Sequence, residues 1–448
     1  MEDRKLPVGW AEVPIHEINS YISNTINPQT GPDQLFKLYS VPAFPTRLPE
    51  LIKGGEIGST KQSVQNGDVL ICKINPRINR VWSVGKIDAN PQIASSEWIV
   101  VRSPHLSSSY LRRFFSSPSF RELLCHGVTG VGGSLTRAQP KRVREFKIPL
   151  APAPEQRRIA SKLDTTLASV DACRQRLEGV ATLIRRFRQA VLEAATTGEL
   201  TREWREEKGI GELNWDSCLT REAGKVQLGR QRAPKYHHGS TMRPYLRVQN
   251  VFEDRLDLED VMEMDFSGDD LERYRLHPGD ILLNEGQSPQ YLGRPAMYRG
   301  ELGEVCFTNS LIRFQAREHV VADFALLVFR HYMHSGRYID EGTITTNIAH
   351  LSAGRFGNVE FPLPSHEEQY EIVRRAQQLF SLADQLEARL TAARQVVERL
   401  TPALLAKAFR GELVPQDPSD EPASVLLARI RAARQAEAGA GKPSRRGR

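Results

Sequence analysis

Apolar side chains recur with helical spacing in two long stretches of the chain, residues 155–200 and 368–413. The first stripe consists of Leu163, Thr166, Val170, Cys173, Leu177, Val180, Ile184, Phe187, Val191 and Ala194. The second consists of Ala376, Leu379, Ala383, Leu386, Leu390, Ala393, Val397, Leu400 and Leu404, and it breaks at Lys407. Steps that alternate three and four residues predict a long helix with one apolar stripe, as in a coiled coil.

The two stretches are copies of each other. Both open on Glu-Gln, both close on Gly-Glu-Leu, and they align without a gap at an offset of 213 residues. An offset this long indicates duplication of a whole domain together with its connector. Gly198 and Gly411 are expected to cap the ends of the two helices. Pro402 stands where the first copy has Gln189, so we expect a kink or break there, with Thr401 capping a new helix.

Two such helices in one chain most simply bury their stripes against each other. The alternative is that each stripe packs on its neighbouring domain or on a partner protein. About 40 residues at about 1.5 Å each form a rod of about 60 Å, which predicts a spacer that holds its two ends apart. The residues expected to form the seam of this spacer are Leu163, Val170, Leu177, Ile184, Phe187, Leu379, Leu386, Leu390, Val397 and Leu400.

Each helix is preceded by a block of mixed character, and the two blocks repeat the same order of segments. A Gly-Asp turn, a β-branched strand and a polar loop come first, as NGDVLICKINPRINR at 66–80 and PGDILLNEGQSPQYLGR at 278–294. A further strand, a helical pattern and a loop rich in Gly, Thr and Ser follow in both blocks. The sequence therefore predicts an α+β fold, in which two mixed α/β domains are joined by two long antiparallel coiled-coil helices with pseudo-two-fold symmetry.

The domain boundaries follow from the prolines that precede each helix and the glycines that end it. The expected segments are 1–150 for the first domain, 151–212 for the first spacer helix and linker, 213–364 for the second domain, 365–414 for the second spacer helix, and 415–448 for a C-terminal helix and a basic tail. Within the last segment, residues 421–435 have helical apolar spacing and are a candidate for docking on the rod or on a partner subunit.

The loops differ between the two blocks, while the strands and the long helices agree. A shared scaffold with divergent loops is expected of two domains that do the same job on two different targets. Drift in unimportant loops would give the same pattern, so the loops alone do not decide between these two explanations.

Composition narrows the class of protein. The 448 residues are 40% hydrophobic and 26% charged, which is typical of a globular chain. No apolar run approaches the roughly 20 residues that cross a bilayer, and the first residues lack the apolar core of a signal peptide, so a cytoplasmic protein without membrane contact is expected. The five cysteines are scattered without a CxxC pair, which favours buried, reduced thiols over disulfides or a zinc site.

The charge of the chain points to a polyanion as partner. The net charge is +7, and residues 1–150 alone contain 19 Lys and Arg against 12 Asp and Glu. A basic surface binds nucleic acid because neutralised phosphates release their counter-ions. A basic protein without a nucleic-acid partner remains the alternative explanation for this charge.

Motifs of catalysis are missing from the sequence. We find no GxxxxGK[ST], HExxH or GxSxG pattern, and no Asn-Pro-Pro-aromatic motif of the kind that adenine methyltransferases use. His331 and His334 could share one helix face, but two histidines without a third ligand are more often structural. We therefore predict no catalytic residue and no metal site in this chain.

Several segments together resemble the specificity subunit of type I restriction-modification enzymes. They are PLAPAPEQRRIASKLD and GELTREWRE around the first helix, YLRVQNV and PGDILL in the second domain, and PLPSHEEQYEIV and FRGELVPQDPSDEPASVLLARIRAAR around the second helix. The resemblance extends over nearly the whole chain.

This resemblance implies a non-catalytic subunit of a DNA-methylation and phage-defence system. Its two target recognition domains would each read one half of an interrupted double-stranded DNA sequence. Two methyltransferase subunits would dock on it and methylate adenine, and two ATP-driven restriction subunits could join them. No cofactor is expected in this subunit, whereas S-adenosylmethionine, ATP and Mg are expected in its partners. The duplicated helix would set the distance between the two half-sites.

Phosphate contacts position a protein on DNA, and base contacts specify the sequence. For phosphates we select Arg102, Arg112, Arg113, Lys141 and Arg142 in the first domain, and Arg230, Arg232, Lys235 and Arg243 in the second. For base reading we select Lys73, Asn75, Arg77, Asn79 and Arg80, then Asn284, Gln287, Gln290 and Arg294. Thr129, Ser134 and Arg137, with Thr345, Thr346 and Asn347, lie in the second candidate loops. An ordinary solvated loop residue is the alternative for each of them.

Two other functions stay open from the sequence. A stand-alone DNA-binding regulator with duplicated domains would show the same basic halves. A nuclease or methyltransferase acting alone is disfavoured by the missing motifs.

Overall fold

The computed structural model describes residues 6–86, 89–126, 136–211, 213–345 and 348–440. The chain forms two compact units. The first comprises Met1–Leu177 and Ala392–Arg448, and the second comprises Glu178–Thr391. Each unit therefore contains one mixed domain and a segment of each long helix.

The described residues of the first mixed domain form ten strands, and the domain leads into the first long helix. The strands are β1 (Ala11–Pro14), β2 (Thr25–Ile26), β3 (Leu35–Tyr39), β4 (Glu50–Lys53), β5 (Lys61–Ser63), β6 (Val69–Cys72), β7 (Val81–Ser83), β8 (Gln92–Ala94), β9 (Trp98–Val101) and β10 (Lys147–Leu150). The helices are α1 (Ile15–Ile18), α2 (Ser108–Phe115), α3 (Pro118–Cys125), α4 (Pro140–Val143) and α5 (Ala153–Thr196). The sheets have the strand orders β2-β5-β8-β3-β4, β7-β6-β9 and β1-β10.

The second mixed domain lies between the two long helices. Its strands are β11 (Asp216–Leu219), β12 (Gly224–Leu228), β13 (Met242–Leu246), β14 (Val251–Phe252), β15 (Arg255–Leu256), β16 (Met262–Asp265), β17 (Ile281–Asn284), β18 (Gly286–Gln287), β19 (Pro295–Met297), β20 (Cys306–Phe307), β21 (Leu311–Ala316), β22 (Thr343–Thr345), β23 (Ile348–His350) and β24 (Glu360–Leu363). The helices are α6 (Arg202–Glu207), α7 (Thr220–Ala223), α8 (Asp270–Tyr274), α9 (Ala322–Ser335), α10 (Arg337–Glu341), α11 (Ala353–Asn358) and α12 (His366–Ala408), and α13 (Ala423–Ala440) follows. The sheets have the orders β11-β24, β12-β21-β17-β19, β16-β13-β20, β14-β15 and β18-β23-β22.

The two domains repeat one strand plan. In the first, β6 lies between β7 and β9 with antiparallel pairing, and in the second, β17 lies between β19 and β21 in the same way. The parallel pairs β3/β8 and β13/β20 correspond, as do the antiparallel pairs β1/β10 and β11/β24 that precede each long helix. The predicted fold of two repeated mixed domains with two long helices is confirmed.

The long helices α5 and α12 span 44 and 43 residues. In the second unit, Arg188 bonds to Asp384 at 2.6 Å, and Arg375 donates to the carbonyl of Leu200 at 3.2 Å. Leu200, which lies later in the chain than Arg188, contacts the earlier of these two residues of α12, so the two helical segments of this unit run antiparallel.

The apolar stripes are covered where they meet the domains and also at single positions in the middle part of the helices, and they are partly exposed elsewhere. Leu163, Val170, Ile184 and Leu390 are buried, and Leu177, Phe187, Leu379 and Val397 are half-buried. Leu386 and Leu400 are 40% and 39% exposed. Leu163 belongs to the core of the first domain, and Leu379 packs against that of the second. Packing on the neighbouring domain, the alternative considered from the sequence, thus describes the covered ends of the stripes.

The ends of the long helices follow the predicted glycine caps, but of the kink or break predicted at Pro402, the break does not occur. Gly198 and Gly411 have φ of 78° and 76°, which a glycine adopts without steric cost. Helix α12 continues through Pro402 to Ala408. Its last turn is fixed by packing, because Phe409, next along the chain, contacts Tyr110 with ring centroids 5.3 Å apart.

Helix α13 packs on the first domain. Leu426, Leu427 and Ile430 are buried in the core of that domain. The backbone N–H of Ala423 donates to the carbonyl of Gly9 at 2.8 Å, and Arg431 pairs with a carboxylate of α1 at 2.7 Å. This segment was a candidate for docking on the rod or on a partner subunit, and the core that it joins contains side chains of the domain and of both long helices. Docking on a partner subunit stays a prediction.

A repeated cluster of side chains fixes the start of each long helix. The indole of Trp10 donates to Glu155 at 3.0 Å, and the indole of Trp215 donates to Glu368 at 2.9 Å. Each tryptophan directly precedes the strand that pairs with the last strand before the helix. We call these residues, with the glutamine that follows each glutamate, the helix-start clusters.

The glutamine of each cluster joins the long helix to a second helix of the domain. Gln156 donates to the carbonyl of Ala151 at 2.8 Å, and Gln369 donates to that of Pro364 at 3.0 Å. The oxygen of Gln369 accepts from the N–H of Val321 at 2.7 Å, at the start of α9. The equivalent contact of Gln156 is with the residue that caps α2. The repeated Glu-Gln pair is therefore a structural feature of the fold.

The two clusters differ in how the carboxylate is satisfied. The second oxygen of Glu368 accepts from Thr201 at 2.7 Å and from Arg205 at 2.6 Å. The corresponding oxygen of Glu155 is buried without a hydrogen-bond partner among the described residues. Burial raises the pKa of Glu155, and the hydrogen bond from Trp10 opposes this shift.

The variants Glu155→Gln and Glu368→Gln should therefore differ in stability at neutral pH. Glu368→Gln should lose about 3 kcal/mol, because Arg205 stays buried without a counter-ion. Glu155→Gln should be as stable as the native chain or more so, because glutamine still accepts from Trp10 and carries no buried charge. Urea unfolding followed by tryptophan fluorescence measures both.

The pH dependence of the stability of Glu155→Gln tests whether the buried charge of Glu155 is the cause of this difference. Because folding raises the pKa of Glu155, the folded state binds this proton more tightly than the unfolded chain, and native stability falls as pH rises above the unfolded pKa. The advantage of the glutamine variant should therefore grow between about pH 4 and about pH 7. Equal losses in the two variants would contradict this account.

Candidate nucleic-acid interface

In each domain the two candidate loops lie together. In the first, Ile74 forms an isolated antiparallel bridge with Arg137, and the N–H of Asn75 donates to the carbonyl of Thr136 at 2.9 Å. In the second, β18 pairs with β23, which pairs with β22. Loops that are about 60 residues apart in sequence thus form one surface beyond the central strand of each domain.

The loop after β6 has a constrained backbone. Asn75 and Asn79 have φ of 46° and 49°, and they flank a short 3₁₀ turn, Pro76–Ile78. Asparagine enters this left-handed region more readily than most residues. The amide of Asn79 donates to the carbonyl of Phe115 at 2.8 Å. The turn thus holds Arg77 and Ile78 exposed at its tip.

The loop after β17 is longer and contains a strand. The oxygen of Gln287 accepts from the N–H of Ser288 at 3.1 Å, and Gln290 is exposed. Asn284 is fully buried at the end of β17, and neither polar atom of its side chain has a hydrogen-bond partner among the described residues. Gln290 is thus presented to solvent, while Asn284 lies beneath the surface.

The Gly-Asp turns before the central strands are structural. Gly67 and Gly279 have φ of 88° and 96°. The carboxylate of Asp68 accepts from the N–H of Gln65 at 2.9 Å, and it binds Arg102 through two hydrogen bonds of 2.7 Å.

Asp280 makes the corresponding contacts in the second domain. It accepts from the N–H of His277 at 3.0 Å and from the side chain of Gln315 at 3.0 Å, and it lies 3.5 Å from Arg313. Each Gly-Asp turn is therefore fixed to a neighbouring strand by a buried carboxylate and an arginine.

Most arginines selected as phosphate contacts already pair with carboxylates inside their domain. Besides Arg102, these pairs are Arg112 and Arg113 with Asp164, Arg230 with Asp270, and Arg243 with Glu304, at 2.5 to 3.1 Å. Arg137 lies 3.3 Å from Glu97. Arg230 is also buried and lies 3.8 Å from the ring centre of Tyr236. These side chains hold parts of the fold together, and their role in DNA binding stays a prediction.

Other selected basic residues have no carboxylate partner within the described ranges. In the first domain these are Lys73, Arg77, Arg80, Lys141 and Arg142, and in the second they are Arg232, Lys235 and Arg294. Lys141 and Arg142 are exposed on the short helix α4, and Arg232 and Lys235 are exposed before β13. This charge is available to an anion.

Some selected residues lie outside the described residues. They are Thr129, Ser134, Thr346 and Asn347. Thr345 ends β22. The sequence analysis missed Asp164, which receives Arg112 and Arg113, and it missed Trp10 and Trp215. A tryptophan near the start of each block was the available signal.

The structure gives His334 a carboxylate partner and shows how the five cysteines are placed. His334 lies 3.0 Å from Glu253. All five cysteines are free thiols, and Cys72 and Cys306 are buried as predicted. The predicted burial is wrong for Cys173, which is exposed on a long helix, and Cys125 and Cys218 are half-buried. Within the part of the chain that the structure describes, no three His, Cys, Asp or Glu side chains gather as metal ligands. None of the described helices is both long and apolar enough to span a membrane.

Comparison with known proteins gives one family. Residues 265–393 match the family model described as the type I restriction modification DNA specificity domain. The EcoKI specificity subunit of Escherichia coli K12 is 26% identical over 98% of each chain. The EcoBI specificity subunit of Escherichia coli is 29% identical over 74% of this chain and 73% of its own. The StySPI specificity subunit of Salmonella potsdam is 26% identical over 100% of both chains.

Solved structures share the fold. A chain from work on complex assembly and conformational transition of the type I R-M system superposes with a TM-score of 0.69, at 20% identity, over 91% of this chain and 100% of its own. The HsdS subunit from Thermoanaerobacter tengcongensis gives a TM-score of 0.61, at 21% identity, over 92% of this chain and 99% of its own. The resemblance seen in the sequence is confirmed: this chain is similar over nearly its whole length to the specificity subunits of type I restriction enzymes.

Proposed function

We propose that this chain is the DNA-recognition subunit of a type I restriction-modification system, in which each mixed domain reads one half of a bipartite DNA sequence. The observation that carries the proposal is the duplication itself. Both domains repeat the central antiparallel strands, the parallel pair and the pair before the long helix. Both also have a helix-start cluster, and both bring two divergent loops together beyond the central strand. Two similar scaffolds with different loops suit two different half-sites.

The chemistry of the loops supports reading in the major groove. Arg77 and Gln290 are exposed and have side chains that can form paired hydrogen bonds with base edges. Lys141 and Arg232 offer charge for phosphates without a carboxylate partner in the described ranges. The role is one of recognition, so methylation and cleavage belong to other chains.

Exposed apolar side chains on the two long helices support docking of those chains. In the second unit, Leu183, Leu382 and Leu386 are 62%, 47% and 40% exposed. In the first, Val396 and Leu400 are 58% and 39% exposed. Apolar side chains exposed on both units are expected to bind partner subunits. We assign them to two methyltransferase subunits, which would use S-adenosylmethionine. Restriction subunits, which would use ATP and Mg, would complete a restricting complex.

Loss of the gene should abolish methylation of one interrupted DNA motif. Single-molecule sequencing of native DNA, with and without the gene, should show one bipartite motif that loses methyladenine on both strands. The two halves of this motif would be the DNA sequences that the two domains recognise. An unchanged methylation pattern would reject the recognition function in that strain, and the stand-alone regulator would then be tested by transcript analysis.

Arg102→Ala and Arg77→Ala should fail in different ways. Removing Arg102 leaves the buried carboxylate of Asp68 without its partner, so the chain should lose about 3 kcal/mol of stability. Removing the exposed Arg77 should change stability by less than about 0.5 kcal/mol and weaken binding to DNA that carries the motif. Thermal unfolding and fluorescence anisotropy separate the two effects. Normal DNA binding by Arg77→Ala would remove this residue from the interface.

Leu183→Glu should prevent assembly without unfolding the chain. The side chain is 62% exposed, so the folded chain tolerates a charge there, whereas an apolar partner surface does not. We expect loss of the methyltransferase subunit in co-purification and an unchanged circular dichroism spectrum. Gln385→Glu, at an exposed polar position of α12, is the control and should keep its partner. Assembly of both variants would exclude this leucine from the docking surface.

A further inference from the structure

The divergent loops of the two domains end on the same residue at the same structural position. Arg80 directly precedes β7, and Arg294 directly precedes β19. The carbonyl of Arg80 accepts from the N–H of Cys72 at 3.0 Å, and that of Arg294 accepts from the N–H of Asn284 at 3.2 Å. Each arginine is thus bonded through its backbone to the last residue of the central strand, and the two positions are equivalent.

The remainder of these loops is not shared. Seven residues separate Cys72 from Arg80, and nine separate Asn284 from Arg294. The residue directly after the central strand is Lys73 in one domain and Glu285 in the other, which have opposite charges. A loop that reads bases is expected to vary in this way. An arginine that both loops retain at their last position is therefore expected to bind a feature that the two half-sites share.

Both arginines are half-buried and have no carboxylate within ion-pair distance among the described residues. The guanidinium of Arg80 donates to the carbonyl of Ile74 at 3.4 Å. That of Arg294 lies 4.7 Å from the ring centre of Phe252 and 5.3 Å from that of Tyr291. Aromatic rings and one carbonyl position these groups, but they do not neutralise the charge.

An unpaired cation in a partly buried position costs free energy, and the structure contains this arrangement at both equivalent sites. Burial lowers the pKa of Arg294, although the nearby Glu253 opposes the shift. The arginines that fix the Gly-Asp turns, Arg102 and Arg313, face carboxylates instead. Arg80 and Arg294 therefore have charge that no carboxylate of the described residues neutralises in an ion pair.

The loop that ends on each arginine also contacts the second loop of its domain. Ile74, which accepts the hydrogen bond from Arg80, pairs with Arg137 of that loop. In the second domain, the carbonyl of Glu285 accepts from the N–H of Leu351, directly after β23. The two arginines thus end a loop that takes part in the paired-loop surface of their domain.

We propose that Arg80 and Arg294 make equivalent contacts with DNA phosphates, one in each half-site, and anchor the loops whatever bases they read. This inference rests on the proposed recognition function. The backbone is the part of DNA that two different half-sites have in common, and a guanidinium fits a phosphate through two parallel hydrogen bonds.

The test measures how binding depends on salt. The complex of this chain with its methyltransferase subunits is titrated by fluorescence anisotropy at several salt concentrations. One duplex carries the motif found by methyladenine sequencing, and a second of equal length carries a scrambled sequence. Arg80→Gln and Arg294→Gln should each weaken binding to both duplexes by a similar factor, roughly tenfold. Each should also reduce the slope of log affinity against log salt by about 0.9, and the double variant by about 1.8.

Three controls make the result specific. Arg299→Gln removes an arginine of the second unit that already lies 3.4 Å from Asp254 and 3.7 Å from Asp323, and its salt slope should equal that of the native complex. Arg294→Lys keeps the charge and should keep most of the slope. Thermal unfolding of all variants separates loss of binding from loss of fold.

Two outcomes would overturn the inference. An unchanged slope in folded variants would make both arginines structural. A methyladenine motif that relaxes at one base pair, with unchanged binding to the scrambled duplex, would make that arginine a base reader. A native complex without preference for the motif would reject the recognition function instead, and the slope on the scrambled duplex would still decide the phosphate contact.

Discussion

A buried hydrogen bond from a tryptophan indole to a glutamate fixes the start of each long helix, and the rest of the architecture depends on it. Trp10 and Trp215 stand directly before a strand, and Glu155 and Glu368 stand in the first turn of α5 and α12. The strand closes the domain, while the helix leaves it. Because the bond joins the two elements inside the protein, each helix leaves its domain in a fixed direction.

Both copies contain this cluster, but the residues that satisfy its carboxylate and pack around it differ between the copies. The segment that follows α5 contains Arg205, which neutralises Glu368 in a buried ion pair. After α12, it contributes Asp420, which pairs with Arg158 at 2.6 Å, and then packs α13 on the first domain. The cluster at the start of α12 is therefore stabilised by a buried arginine, whereas the first domain around the start of α5 is stabilised mainly by apolar packing. A single chain that contains both needs no strict symmetry, since each domain must satisfy only its own buried groups.

Sequence patterns could predict the features that depend on local spacing. The stripe from Leu163 onward, the glycine caps and the repeated order of strands are of this kind. Patterns could not predict partners that are distant in the chain, such as Asp164 for Arg113, because any exposed carboxylate looks alike in sequence. The continuous helix at Pro402 was missed because packing of the next turn outweighs one lost hydrogen bond. Asn284 was selected for its chemistry, although its position at the end of a buried strand places it inside.

The positions of the arginines show how recognition can change while the scaffold stays. Arg102 and Arg313 face buried carboxylates beneath the loops, and replacing either would leave such a charge unpaired. Arg77 is exposed at the tip of a loop and has no carboxylate partner in the described ranges. Substitution of an exposed loop residue such as Arg77 therefore changes what the loop can bind at little cost in stability. Substitution of Arg102 or Arg313 destabilises the folded domain. Such a division allows two copies of one scaffold to read two different sequences.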